Sequence, residues 1–248
     1  MDMGPVARAS SRIVNVLFPR GCAGCDKPDE ILCSECRALF DRGLSQTLET
    51  ATMGRWFACG WYRGAARQAI LSWKDHGDEE CECPFSEALC SLAEQAGLPD
   101  HLGGSSRDRV LIVPAPSSSA SMRQRGRRHM MPLATGLASY LRERTGMHVR
   151  ACEALENRGT AGRSVETGGT AQRSRRLKGR IMVRGKLLLK DKAVILVDDI
   201  VTSGTTMRRC IDALSLQGAE VVTALSLAHT PAGKPAKAGR HFSSESGI

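Results

Sequence analysis

The stretch Ala193-Val-Ile-Leu-Val-Asp198-Asp199-Ile-Val-Thr202-Ser203-Gly204-Thr205-Thr206 decides the fold prediction. It opens with five apolar residues, which predict a strand buried on both faces of a parallel sheet. Two carboxylates follow at the carboxyl end of that strand, where open α/β sheets bind their ligands. Adjacent acids repel each other and lose hydration, and pairing with ribose hydroxyls or with Mg²⁺ would offset that cost.

The loop after the two acids is suited to a phosphate group. Its residues are small, their hydroxyls and backbone N–H groups can enclose an anion, and the helix that follows favours negative charge at its start. A Walker A loop requires Gly-Lys-Ser/Thr, and a dinucleotide fingerprint requires three spaced glycines. Neither pattern is present, and an Asp-rich capping turn would explain only one Asp and one Thr. The stretch therefore predicts an acid pair for a ribose beside a cradle for its 5′-phosphate.

The flanking sequence predicts an α/β fold with a parallel twisted sheet. An amphipathic helix over 205–217 leads to an apolar strand over 221–227, and a strand–helix–strand unit of this length places the two strands parallel. Strands are also predicted at 56–61, 110–113 and 186–189, and loops at 102–108 and 157–176. Helices are predicted at 9–17, 37–48, 64–73, 84–96 (stopped by Gly97 and Pro99) and 132–144.

Four of the ten cysteines form a paired motif near the start of the chain. Cys22, Cys25, Cys33 and Cys36 have the spacing CxxC–x7–CxxC. Two such knuckles point four thiolates at one centre, which suits a tetrahedral structural Zn²⁺. Free thiols or a redox pair are the alternatives. The Cys81-Glu-Cys83 pair is not assigned to this site.

Composition limits the class of protein. The chain has 248 residues, of which 42% are hydrophobic, enough for a core of one main domain with a smaller appendage. We found neither a membrane-length apolar run nor a secretory leader, and so expect a cytoplasmic protein without membrane insertion. The segment from Ser121 to Lys186 has 16 Lys and Arg against four Asp and Glu. Such a basic segment predicts an anionic partner, either a phosphate-bearing small molecule or nucleic acid, unless it is only a solvated surface.

The quoted stretch resembles the 13-residue motif that binds phosphoribosyl diphosphate (PRPP) in type I phosphoribosyltransferases. A wider resemblance, over residues 22–229, is to the ComF family, which contains competence protein F and its GntX-like relatives. It is carried by the four cysteines and by Trp61-Tyr62-Arg63-Gly64, Ile70–Lys74, Ile112-Val-Pro-Ala-Pro116 and Arg123–Gly126. Some members of that family are linked to DNA uptake in natural transformation.

This resemblance implies a site for PRPP and Mg²⁺. It places Asp198 and Asp199 on the ribose 2′- and 3′-hydroxyls, and it places Thr202, Ser203, Gly204, Thr205 and Thr206 around the 5′-phosphate. It also implies a pyrophosphate loop made of Pro114, Ala115, Pro116 and Ser117, with Arg123 and Arg125 behind it as possible cations; surface arginines are an equal alternative.

Two departures from the family pattern concern the second substrate. Where the family usually has Arg-Gly-Phe-Asn-Gln, this sequence has Arg125-Gly126-Arg127-Arg128-His129. A Gly/Ser/Arg-rich segment over 160–179 replaces a stretch that contains Gln and Asn. Residues 163–180 could close over PRPP as a flap or contact a nucleic-acid backbone. None of the six histidines is assigned to a site.

The expected organisation is a helix and zinc segment over 1–50, a phosphoribosyltransferase-like domain over 51–229 and a disordered tail over 230–248. The first functional hypothesis is transfer of a phosphoribosyl group to an unknown acceptor. The second is a non-catalytic protein of the transformation machinery that binds single-stranded DNA or a partner protein and retains the PRPP site. A nucleotide-hydrolysing enzyme is disfavoured because a Walker lysine is missing. The sequence leaves the oligomeric state open.

Overall fold

The computed structural model describes residues 20–104, 109–158, 180–185 and 187–231. The predicted helix over 9–17, the basic loop over 159–179 and the tail from 232 onwards lie outside these ranges. Within the described residues, none of the helices is both long and apolar enough to cross a bilayer.

The structure confirms the predicted α/β fold with its mostly parallel sheet. Six strands are arranged in the order β1-β2-β8-β7-β3-β4, and only the edge strand β1 runs antiparallel to its neighbour. A separate antiparallel hairpin is formed by β5 and β6. The strands are β1 (Leu44–Thr47), β2 (Arg55–Trp61), β3 (Arg109–Pro114), β4 (His148–Ala151), β5 (Leu155–Arg158), β6 (Arg180–Val183), β7 (Ala193–Val201) and β8 (Glu220–His229).

Helices cover both faces of the sheet. One hydrophobic cluster contains residues of α2, α3 and α6, and the other contains residues of α7. The strand–helix–strand unit β7–α7–β8 has the predicted parallel pairing. The helices are α1 (Ser34–Arg37), α2 (Gly64–Asp75), α3 (Glu82–Gln95), α4 (Leu98–Gly103), α5 (Ser119–Arg125), α6 (Met130–Thr145) and α7 (Thr205–Ser215).

Successive residues of β7 belong to different faces of the sheet. Ile195 and Val197 are buried in the cluster on the α2–α6 side, whereas Val194 and Leu196 are buried in the cluster on the α7 side. This is the two-residue period of an extended strand. Because both faces are covered, the strand reads in the sequence as a continuous apolar run rather than as an alternating one.

The cysteine segment shares the core of the α2–α6 side. Cys33, Cys36 and Phe40 are buried in the same cluster as Trp73 and Phe85. The Phe40 and Phe85 rings meet edge to face with centroids 5.1 Å apart. Strand β1, which pairs with β2, begins at Leu44, so the sheet begins before the predicted domain boundary at residue 50.

Four predictions of secondary structure were wrong in whole or in their bounds. The helix predicted over 37–48 is a short helical stretch that ends at Phe40, after which Gly43 takes a positive φ of 56° and the chain enters β1. Residues 187–189 are not a strand; Arg180–Val183 pairs with β5 instead. The loop predicted over 102–108 begins inside α4, which ends at Gly103. The loop predicted over 157–176 begins inside β5, which ends at Arg158. Helix α3 ends at Gln95, just before Gly97 and Pro99, as predicted; Pro99 lies in the first turn of the next helix, α4, which its fixed φ suits.

Candidate functional site

The two adjacent acids of β7 lie at the same strand end but point in different directions. Because every second residue of a strand lies on the same face, Asp199 lies on the face of Ile195 and Val197, which is covered by α2 and α6. Asp198 faces the α7 side, where its charge contributes to the raised pKa of Cys210 on that helix. The pair does not act as one double carboxylate.

Asp199 is held by two basic side chains from separate helical segments. Its Oδ2 atom lies 2.5 Å from Nζ of Lys74, in the last turn of α2, and 2.8 Å from Nε2 of His129, which precedes α6. Only 9% of the Asp199 side chain and 4% of the His129 side chain are exposed. The Trp73 ring packs edge to face on the imidazole with centroids 5.0 Å apart. Sequence analysis assigned no role to Lys74 or His129.

These contacts keep Asp199 ionised. Burial alone would raise the pKa of its carboxyl group, but the hydrogen bond from His129 and the charge of Lys74 outweigh burial and lower the pKa to about 2. A buried carboxylate is stable only when it is paired in this way. Asp199 therefore joins β7 to α2 and α6 as a fixed negative charge.

Asp198 is in the opposite electrostatic state. It is partly buried, and its Oδ1 atom accepts a hydrogen bond of 2.9 Å from the backbone N–H of Asp199. Burial, followed by the negative charge of Asp199, raises the pKa of Asp198 to about 8. Among the described residues, Asp198 has no cationic partner in an ion pair, so of the two acids it is the one a ligand can pair with. Whether both acids contact a ribose stays a prediction.

The loop after β7 has the geometry of an anion cradle. Gly204 precedes α7 with a φ of 69°, a conformation that glycine adopts without strain, and the first N–H groups of α7 follow it. Thr202, Ser203, Thr205 and Thr206 are exposed. The Ser203 and Thr205 hydroxyls lie 2.9 Å apart, and Arg208 donates to the carbonyl of Ser203 at 3.1 Å. Exposed hydroxyls, free helix-start amides and a nearby guanidinium are features that suit a phosphate.

The predicted pyrophosphate loop lies next to this strand end. Strands β3 and β7 pair in register up to Pro114 and Val197, and the N–H of Ala115 donates to the carbonyl of Val197 at 2.8 Å. The four residues from Pro114 to Ser117 line a cavity of about 370 Å³, as does His129. His129, whose imidazole binds Asp199, therefore lies between the end of β7 and this cavity and is in contact with both.

The arginines of the cavity differ in part from those predicted. Arg123 lines the cavity, whereas Arg125 is turned away and binds Asp75 through its Nε atom at 3.0 Å. Arg128 and Arg184 also line the cavity. Both are paired with a single carboxylate, that of Glu153, which holds them on one side of the cavity. Sequence analysis counted these two arginines only as part of the basic segment.

The four predicted cysteines converge on one point. Their sulphur atoms all lie within 4.8 Å of one another. Cys25 Sγ and Cys33 Sγ are 3.6 Å apart, and a tetrahedral Zn²⁺ with bonds of about 2.3 Å separates its sulphurs by roughly 3.8 Å. The backbone N–H of Cys33 points at Cys22 Sγ from 3.3 Å. The donor set fits a zinc ion.

The thiols are electrostatically uneven. Burial opposes ionisation of Cys22, but backbone N–H groups, that of Cys33 foremost, outweigh burial and lower its pKa to about 6. Burial and the neighbouring sulphurs raise the pKa of Cys36. A bound Zn²⁺ would draw all four thiols into the thiolate form.

The cysteine knuckle is in close contact with α2. A side-chain carbon added at Gly24 would come within 2.8 Å of Cys36 Sγ and 3.1 Å of the carbonyl of Ala65, in the first turn of α2. Only glycine fits there. The cysteine centre therefore touches the beginning of the helix whose last turn carries Lys74.

The C-terminal half of the chain matches a known protein family. Residues 131–244 match the family model of the phosphoribosyl transferase domain. The chain therefore contains a phosphoribosyltransferase-like domain, together with an N-terminal four-cysteine cluster.

Individual relatives cover parts of the chain. A segment of 59 residues is 44% identical to orotate phosphoribosyltransferase from Parvibaculum lavamentivorans, over 24% of this chain and 30% of that protein. Similar solved structures include the allosteric regulatory enzyme of purine biosynthesis (18% identity, TM-score 0.36, 63% of this chain and 30% of that one). A hypoxanthine phosphoribosyltransferase from Staphylococcus aureus is another (17% identity, TM-score 0.33, 62% and 65%). The chain spans less than two thirds of the length of each of these three proteins.

The raised pKa of Asp198 predicts a stability that depends on pH. A carboxyl group whose pKa is raised on folding destabilises the folded state as the pH rises from its unfolded value, near 4, towards about 8. We expect Asp198→Asn to be more stable than the wild type at pH 8, and the difference to shrink by pH 5. Urea unfolding in the presence of zinc measures this, with exposed Asp212→Asn as control. A variant less stable than the wild type at pH 8 would contradict the assignment.

The cysteine geometry predicts a stoichiometric metal site. We expect the wild type to bind one zinc per chain, and Cys33→Ser to lose the metal and several degrees of melting temperature, because structural zinc contributes folding free energy. Elemental analysis and a thermal melt measure both effects. Cys83→Ser, at an exposed thiol outside the cluster, is the control and should keep the zinc. Full zinc occupancy in Cys33→Ser would argue against the four-thiolate centre.

Proposed function

We propose that this protein binds PRPP with Mg²⁺ and transfers its phosphoribosyl group to a small acceptor. The observation that carries the proposal is the juxtaposition of two strand ends. The pairing of β3 with β7 brings the predicted pyrophosphate loop, Pro114–Ser117, beside the acids and the hydroxyl-rich loop of β7. A cavity lined by arginines adjoins them.

Each part of the site would take one part of PRPP. The loop from Thr202 to Thr206, at the start of α7, suits the 5′-phosphate. Asp198, for which the described part of the chain supplies no cationic partner, would accept hydrogen bonds from ribose hydroxyls, and these bonds would offset part of the cost of its burial. The pyrophosphate group, with its Mg²⁺, would lie in the cavity near Arg123, Arg128 and Arg184.

The acceptor would occupy the rest of the cavity. Its remaining lining combines apolar side chains, those of Met122, Met131 and Leu155 among them, with the amide of Asn157 and the carboxylates of Glu153 and Glu156. Small-molecule sites are commonly of this kind, apolar with a few placed polar groups. The relative with 44% identity is named for orotate, and the S. aureus structure for hypoxanthine. Both are nitrogen heterocycles, and we use them as the first acceptors to test.

Calorimetric titration with PRPP and Mg²⁺ tests the binding step. We expect the wild type to bind and Asp198→Asn to bind about 10- to 100-fold more weakly, since a hydrogen bond to a charged group contributes about 1.5–3 kcal/mol. Asp212→Asn, on the exposed side of α7, serves as the matched control and should bind like the wild type. A folded, zinc-loaded wild type that gives no binding heat would exclude the proposal.

A second function, binding of single-stranded DNA, is favoured by a basic cleft at the amino ends of β3 and β4. The candidate site described above lies at the carboxyl ends of the strands. Arg142, His148, Arg150 and Lys192 line this cleft of about 350 Å³. Its lining residues include no Asp or Glu. The resemblance to the ComF family would connect such binding with DNA uptake in natural transformation.

Salt dependence and mutation separate this second function from the first. If the cleft binds a DNA backbone, affinity for a fluorescent oligothymidylate should fall steeply with salt, and Arg142→Gln/Arg150→Gln should reduce both affinity and salt slope. Asp198→Asn should leave this binding unchanged. Arg144→Gln, whose side chain is paired with Glu94, is the control. Equal DNA binding by the double variant and the wild type would exclude the cleft.

A further inference from the structure

His129 joins the two halves of the candidate site. One side of its imidazole contacts Asp199 through Nε2 at 2.8 Å, and the residue also lines the cavity beside the predicted pyrophosphate loop. The Trp73 ring, packed edge to face against it, fixes the plane of the imidazole. The hydrogen bond to Asp199 and the contact with Trp73 together hold the imidazole of His129 in one orientation.

The second ring nitrogen, Nδ1, is the one not engaged by Asp199, which is bound through Nε2. His129 also lines the cavity. Nδ1 is therefore the ring nitrogen that remains for a molecule bound in the cavity.

The partner on Nε2 decides which proton the ring carries. Asp199 is ionised and can only accept a hydrogen bond, so Nε2 of a neutral imidazole must be the nitrogen that bears the hydrogen. Nδ1 then carries the lone pair. The cavity thus contains a positioned proton acceptor, oriented by a carboxylate in the manner of a histidine–aspartate dyad.

We propose that His129 is the proton acceptor for the nucleophile in the phosphoribosyl transfer, an inference that rests on the proposed function. The acceptor would be a molecule with an N–H group directed at Nδ1. As the nitrogen of the acceptor forms its bond to C1′ of the ribose, the bond from C1′ to the pyrophosphate oxygen breaks. The electron pair of that bond leaves with pyrophosphate, and the N–H proton passes to Nδ1.

The charged groups around the imidazole fit this role. Asp199 stabilises the imidazolium that forms, and Lys74 binds the same carboxylate oxygen. The charged side chains that line the cavity are Arg123, Arg128, Glu153, Glu156 and Arg184. Arg128 and Glu153 are paired with each other. Asp198 lies on the other face of β7.

Three substitutions separate the chemical role of His129 from its structural role. His129→Gln keeps an amide that can donate to Asp199 but offers no basic nitrogen. His129→Ala removes the contact altogether. His101→Gln, at an exposed histidine of α4, is the control. Calorimetric titration with PRPP and Mg²⁺ should give dissociation constants for wild type, His129→Gln and His101→Gln that agree within about three-fold, since the amide replaces the contact to Asp199.

Release of pyrophosphate from PRPP then measures turnover, with orotate, hypoxanthine or water as the nucleophile. We expect His129→Gln to be at least about 100-fold slower than the wild type, since general bases contribute roughly 10²–10⁴-fold. Long-range nitrogen NMR of labelled histidine should show hydrogen on Nε2 and none on Nδ1.

The outcomes distinguish this inference from the function on which it rests. Absence of PRPP binding by the wild type would overturn the proposed function itself. PRPP binding with equal turnover in wild type and His129→Gln would overturn the role of His129 and leave the PRPP site standing. The same applies if PRPP binds but none of the three nucleophiles reacts, or if NMR finds hydrogen on Nδ1. A loss of turnover restricted to His129→Ala would show that His129 only supports the fold.

Discussion

The pairing of the buried Asp199 carboxylate with Lys74 and His129 is the interaction on which the rest of this site depends. A carboxylate with so little exposure is tolerated only with its partners, and removing one partner of such a pair commonly costs about 3–5 kcal/mol. Lys74 ends α2 and His129 precedes α6, so both helices are tied to the same point of β7. The position of the acid at the strand end thereby sets the position of the cavity wall as well.

The same ion pair gives the two neighbouring acids opposite electrostatic states. Asp199 is paired with Lys74 and His129 and holds the imidazole in place. Asp198 has a raised pKa, because it is buried and lies next to the negative charge of Asp199. An alternating strand is the simplest way to give two consecutive carboxylates such different surroundings. The same residue type thus carries out two tasks one position apart.

The sequence was sufficient where local patterns determine structure. Apolar runs predicted β3, β7 and β8, and cysteine spacing predicted a cluster that the structure assembles. The loop at Thr202–Thr206 was recognisable because its small residues and glycine serve the backbone directly.

Contacts between distant segments were beyond reach. Nothing near Lys74 shows that the rotation of α2 directs it to Asp199, 125 positions later in the chain. The sequence analysis placed Arg125, and not Arg128, behind the pyrophosphate loop, but tertiary packing turns Arg125 to Asp75 and leaves Arg128 at the cavity. The helix predicted over 37–48 was wrong because residues 44–47 pair with β2 as the edge strand β1, and this pairing overrode a weak local helical pattern, as tertiary context commonly does.

The close fit at Gly24 has a consequence for how this protein can change over evolutionary time. The cysteine knuckle rests on the first turn of α2 with no room for even a methyl group, and its buried side chains belong to the same core as Trp73. Such a segment cannot be traded between proteins as an independent cassette. A lineage that loses the cysteine cluster must also change the surface of α2 that packs against it, so the two should be inherited or lost together.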